Sequence, residues 1–160
     1  MLKLFTLLSL VFSALSQPVR SAEIWASPIP DFEKRHFPNY VLPASKWSAG
    51  HRGIDLVVAK DEELTAPFDG EVHFVGKVVN RNVLTLKSNS GLLASFEPLC
   101  GDLSKNAEVT KGEAIGTYCE ADANYEDHCE GCIHFSVRSE YGYLNPLLFI
   151  SGLLPSVIVS

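Results

Sequence analysis

From Trp47 onward the apolar residues come in short runs, broken at regular intervals by turn-forming residues. "EVHFVG" (71–76), "NVLTLKS" (82–88), "GLLASFEP" (91–98), "EAIGTYC" (113–119) and "CIHFSVRS" (132–139) are rich in β-branched and aromatic side chains. "FDG", "SNSG", "VTKGE" and "SEYGY" separate them as turns. Segments of this length and spacing, with no 3.6-residue apolar period between them, predict an all-β sandwich or barrel of short antiparallel strands. Residues 23–45 carry four prolines and little periodicity, which predicts an extended arm lying on the domain. After residue 150 the chain is apolar but interrupted by Gly152 and Pro155. A stretch so short and so broken does not span a bilayer, and 151–160 is expected to pack on the sheet.

The beginning of the chain has a different pattern. One early cation, Lys3, precedes an apolar run from Leu4 to Leu15 and then small and polar residues. That is the layout of a secretory signal, with cleavage after Ser16 or Ala22, and the alternative is an uncleaved anchor. The remaining division is an arm over 23–45, a domain over 46–150 and the tail. A chain of 160 residues, 46% hydrophobic and 20% charged, has material for one cored domain. Removing 1–22 takes away Lys3 and Arg20, leaving 11 of the 13 cations against 19 acids and a net charge near −8. Such a balance argues against nucleic acid or an anionic membrane surface as partner. Export also changes what Cys100, Cys119, Cys129 and Cys132 mean, since four cysteines outside the cytosol usually form two disulfides.

Two stretches carry candidate chemistry. In "GHRGIDL" (50–56), His51 and Asp55 stand four positions apart around Gly53. A straight strand would separate them by roughly 13 Å, too far to share an ion. Gly53 can take the backbone angles that fold the strand back or bulge it. In "HCEGCIHFSVR" (128–138), Cys132 and His134 point to one face of a strand, and Ile133 and Phe135 to the other. His134 is therefore a candidate third ligand, with a half-buried core histidine as the alternative. Two neutral imidazoles and a carboxylate suit Zn²⁺ and leave a fourth position for water, an arrangement of catalytic rather than structural sites.

"GHRGIDL", "LTAPFDGEV", "VTKGEAIG" and "CIHFSVRSEYGYLNPLLFI" follow one another in the order found in the lysostaphin-type (LytM-like) zinc metallopeptidases of the M23 type, which this chain resembles over about residues 46–150. The resemblance implies a β domain of the barrel-sandwich hybrid type (duplicated hybrid motif). It implies a secreted or cell-wall-associated enzyme that cuts peptide cross-links or stem peptides of bacterial peptidoglycan. It also implies His51, Asp55 and His134 as the zinc ligands.

The departures from the family pattern fall on the helper histidines. The family has His-x-His on the last motif, and the first of the two assists catalysis; here that position is Cys132. It also carries a helper in a "Tyr-x-His-Leu" strand, where this chain has Phe96-Glu97-Pro98-Leu99 and so Pro98. These variants are similar to those of a divergent branch of the family associated with actinobacteria. Losing acid–base or oxyanion help costs on the order of 10²-fold in rate per group. Glu97 is a candidate substitute base, although strand alternation directs it to the opposite face unless Pro98 introduces a bulge. His128, in an acidic loop, is a second candidate proton carrier. Cys132 has three readings: a thiolate closing the zinc shell, a free thiol acting on substrate, or a half-cystine with Cys129. The last is favoured, and Cys100 with Cys119 would then be the second bridge. His36 and His73 carry no pattern and are read as structural.

Two functions follow: a zinc peptidase of reduced activity on wall peptides, or a degenerate relative serving as a wall-binding module or a regulator of a partner hydrolase or divisome protein. Biotinyl or lipoyl carrier domains share the "TAPFDGEV" pattern, but neither Lys77 nor Lys111 sits in the hairpin those carriers need.

Overall fold

The computed structural model describes residues 23–37, 40–45, 47–121, 129 and 131–150. Residues 1–22, expected to be a secretory leader, residues 151–160 and His128 lie outside the described residues. In chain order the elements are α1 (Phe32–Arg35), β1 (His36–Phe37), β2 (Ile54–Val57), β3 (Glu63–Thr65), β4 (Gly70–Val78), β5 (Arg81–Ser88), β6 (Leu93–Glu97), β7 (Leu99–Cys100), β8 (Glu108–Val109), β9 (Ala114–Tyr118), β10 (Cys132–Ser139) and β11 (Gly142–Leu144), followed by a 3-10 turn, Pro146–Leu148. Among the described residues the chain is all-β but for these two short turns. A large antiparallel sheet runs β1-β2-β10-β6-β5-β4-β8, with β11 hairpinned onto β10. A smaller antiparallel sheet runs β3-β9-β7.

Period-two alternation decides which face of the large sheet is dry. Ile133, Phe135 and Val137 of β10 are fully buried, as are Ile54 and Leu56 of β2, Ala94 and Phe96 of β6, and Leu86 of β5. Phe96 and Phe135 face each other in register and stack with ring centroids 4.9 Å apart. The small sheet supplies Leu64, Leu99 and Ile115 to the same core. Burying each such side chain contributes about 1.5–3 kcal/mol before conformational entropy is charged against it. The intervening residues of the same strands, Asp55, His134, Ser136, Ser95, Thr85 and Lys87, therefore stand on the opposite face of the sheet.

The arm belongs to this core. Trp25 is fully buried between Phe68 and Phe149, with ring centroids at 4.4 and 4.7 Å, and bridges in parallel to Ile150. Ile29 and Phe32 are buried beside it. Its run is interrupted by the single turn of α1. Two bonds seat it over β2. Arg35 Nε donates to the Val57 carbonyl at 3.0 Å, and the Arg35 guanidinium forms a two-pronged ion pair with Glu62. Glu62 also accepts from the Ala59 N–H at 2.8 Å. These contacts, led by the Arg35 hydrogen bond, hold the Glu62 carboxyl below the usual carboxylate range.

Glu62 is thus more acidic in the folded protein than in the unfolded chain, and the stability it lends is fully present at neutral pH. That contribution declines as pH falls below about 4.5 and is gone once pH is under the folded-state value. Glu62→Gln is expected to lower unfolding free energy by roughly 1–2 kcal/mol at pH 7, after allowance for partial solvent exposure. Urea denaturation at pH 7 and pH 3 checks this: the gap between parent and variant should shrink at the lower pH.

Candidate metal centre

β10 lies between β2 and β6, and its pairing on both sides sets the site. His134 is opposite Asp55 across one edge and opposite Glu97 across the other. Directly opposed residues of an antiparallel pair point to the same face, so the three form one row across the sheet. His51 precedes β2 and is held by an antiparallel bridge to the arm, donating its N–H to Val41 O at 3.0 Å and accepting from Val41 N at 2.9 Å. This bridge turns the His51 ring back over the row.

The ring and carboxylate atoms then converge. His51 Nε2 lies 3.1 Å from His134 Nδ1, His134 Nδ1 lies 3.1 Å from Asp55 Oδ1, and His51 Nε2 lies 3.4 Å from Asp55 Oδ1. The Asp55 side chain is only 5% exposed. A carboxylate so buried needs a positive partner. His134 Nδ1 carries at most one proton, yet it has an acceptor on one side and a second imidazole nitrogen on the other. A cation at the centre of the triangle satisfies all three lone pairs at once. Ligand atoms of a tetrahedral zinc site, bound at roughly 2.0–2.1 Å, stand about 3.3–3.4 Å from one another, and the observed spacings fit that donor set closely. Among the described residues this is the group of histidine, cysteine and acidic side chains that could hold a metal ion.

The chain bends at Arg52 and Gly53 just before β2, as the sequence predicts. The Gly53 backbone is not left-handed, and what it supplies is space. A Cβ there would stand 2.4 Å from the Phe135 carbonyl oxygen and 2.7 Å from Cε1 and Nε2 of the His134 ring. Only a residue without a side chain lets the loop pass over this imidazole.

Glu97 departs from expectation. Strand alternation was expected to turn it away, but register places it on the face of His134 because the two are paired across β10 and β6. Arg81 holds it, with Nη2 at 3.2 Å from Oε1 and Nε at 3.2 Å from Oε2. Arg81 escaped the sequence reading, since its tie to Glu97 spans sixteen positions and two strands. Pro98 follows Glu97 and is buried. Cys132 is disulfide-bonded to Cys129 and buried, with Cα atoms 5.4 Å apart, at the head of β10. Cys100 is bonded to Cys119, joining β7 to the end of β9. His36 stacks on Phe32 and its Nδ1 lies 2.6 Å from the Phe32 carbonyl, whereas His73 is solvent-exposed on β4.

Residues 49–146, well over half of the chain, match Peptidase family M23, and the chain belongs to that family. The uncharacterized protein Rv2891 of Mycobacterium tuberculosis is 28% identical over 114 residues, covering 69% of this chain and 43% of that protein. The chain thus spans less than half the length of this curated relative. Among solved structures, the SpoIIQ–SpoIIIAH pore-forming complex contains a chain of the same fold (TM-score 0.64, 21% identity, 81% of this chain and 92% of that one). A mutant of the catalytic domain of the prophage-encoded M23 protein EnpA from Enterococcus faecalis superposes with a TM-score of 0.57, 17% identity, and coverage of 78% and 94%.

If the triangle holds Zn²⁺, Gly53→Ala is expected to weaken that binding by about 10- to 100-fold, because the new methyl collides with the Phe135 carbonyl oxygen and pushes the His134 ring out of the triangle. Competition against a zinc-chelating dye measures the affinity, and circular dichroism reports whether the fold persists. Unchanged affinity in a folded variant would show that the ring has room to spare.

Proposed function

We propose that this protein is a zinc-dependent M23 peptidase of reduced activity, exported and acting on the peptide part of bacterial peptidoglycan. The convergence of His51 Nε2, Asp55 Oδ1 and His134 Nδ1 carries the reading. These three side chains would hold the ion, with Asp55 neutralising part of its charge and the Val41 bridge fixing the approach of His51. Bound zinc would acidify water and polarise the scissile carbonyl. Glu97, next to His134 in the row, takes the part of proton acceptor, and Arg81 orients it. Reduced activity follows from the two helper positions: Pro98 has no side-chain proton to exchange, and Cys132 is sealed in a disulfide. No helix among the described residues is long and apolar enough to cross a membrane.

A second reading, a wall-binding module or regulator of a partner hydrolase, draws support from the same two positions. The occurrence of this fold in the SpoIIQ–SpoIIIAH complex, a pore-forming assembly, also favours it.

The two readings separate on one set of measurements. Purified protein is expected to bind one Zn²⁺ by elemental analysis and His134→Ala none, while the parent slowly releases new amino groups from isolated peptidoglycan. Glu97→Gln is expected to keep its zinc and lose on the order of 10²-fold in rate. Zinc-loaded protein that releases no amine yet sediments with wall material would abandon the peptidase in favour of the binding module.

A further inference from the structure

The sheet face that carries the metal row continues past it. Four residues farther along β10 from His134, about 13 Å in an extended strand, stands Arg138 on the same face. In register with Arg138 on β6 is Leu93, and in register with Leu93 on β5 is Lys87. Arg138, Leu93 and Lys87 thus form a second row parallel to the first, with a cation at each end and an apolar floor between. The intervening row is hydroxylic: Ser136 pairs with Ser95, and Ser95 Oγ lies 2.8 Å from Thr85 Oγ1.

A cleft of about 840 Å³ opens over the second row. Its wall is completed by Arg52, the neighbour of His51, whose guanidinium carbon lies 5.9 Å over the ring of Tyr143 and which donates to the Ser48 carbonyl at 3.1 Å. Tyr143 is held in turn by Tyr40 of the arm, whose hydroxyl donates to the Tyr143 carbonyl at 2.9 Å. Three permanent cations, with His73 beside them, line the cleft against one carboxylate, Glu140. This concentration occurs in a chain of net charge −6, so it is a local feature set against the overall balance. Lys87 is paired with Glu71 at 3.2 Å, but both side chains are nearly half exposed, and an ion pair of that kind contributes little. Lys87 can therefore turn to a ligand at small cost.

We propose that this cleft is a carboxylate-recognition subsite: it takes a free acidic group of a peptide that runs along the sheet face from the metal row, over the largely buried Ser136–Ser95–Thr85 row, to the Arg138–Lys87 row. The inference rests on the reading of the metal row as a site for wall peptides and adds the charge of the peptide it selects. The acid would lie three to four extended residues from the bond held at the metal row, the span set by His134 and Arg138. Charge-assisted hydrogen bonds from guanidinium and ammonium groups distinguish a carboxylate from the isosteric amide, which offers one acceptor and no charge.

The test uses two synthetic peptides, L-Ala-γ-D-Glu-L-Lys-D-Ala-D-Ala with an amidated C-terminus, in which the D-Glu α-carboxyl is either free or amidated. Binding to the zinc-loaded full chain is measured by calorimetry. The free acid is expected to bind at least roughly tenfold tighter at low ionic strength, with the preference shrinking in 0.5 M salt. Arg138→Gln and Lys87→Gln should each remove most of the preference. Lys105→Gln, which deletes the same charge outside the cleft, should leave it intact. Equal affinity for the two peptides, binding of neither, or an equal loss of preference in the Lys105 variant overturns the proposal. The zinc stoichiometry of the parent and of His134→Ala is read separately, so failure of the subsite is distinguishable from failure of the metal centre.

Discussion

The pairing of β10 between β2 and β6 is the constraint on which everything else in this molecule depends. It opposes His134 to Asp55 on one side and to Glu97 on the other, and it does so through backbone hydrogen bonds that are indifferent to the chemistry they align. A slip of one residue would send His134 into the core and bring Ile133 or Phe135 out into water. The fully buried inner face of β10 therefore sets the register of the outer face. The hydrophobic core and the metal row are two consequences of one alternation.

Loops supply what the sheet alone cannot. His51 lies off the end of β2 and reaches the row because the arm bridges it at Val41 and because Gly53 leaves room over the His134 ring. The arm earns its place twice, through Trp25 in the core and through Tyr40 and Val41 at the site. Its fastening by Arg35 and Glu62 lies at the foot of β2, so the ion pair that holds the arm also borders the strand that carries Asp55.

The M23 scaffold here brings three potential ion-binding side chains together while the positions around them carry a disulfide and a proline. The disulfide at Cys132 leaves no titrating thiol, and Pro98 is a buried hydrocarbon ring at the end of β6. The carboxylate beside His134 in the row is Glu97, whose oxygens face Arg81. A carboxylate held this way is well oriented, and it must give up contacts with Arg81 before it can engage anything else.

Much of this was legible in the residues themselves. Alternation and turn chemistry mark β4, β5, β6, β9 and β10 because both depend on neighbours in the chain. "GHRGIDL" and "CIHF" mark the ligand types, and alternation in "CIHFSVRS" already places Ser136 and Arg138 on the face of His134. The very short strands β7, β8 and β11 left little trace, since two or three residues carry no period. What only the tertiary structure decided is what lies across from what: Glu97 beside His134, Arg81 on Glu97, Lys87 in the row of Arg138, and Trp25 under Phe149. Period and propensity act over a few residues, whereas register between strands far apart in the chain is settled by the packing of the whole sheet. For that reason the sequence names the candidate ligands, and the fold alone determines their company.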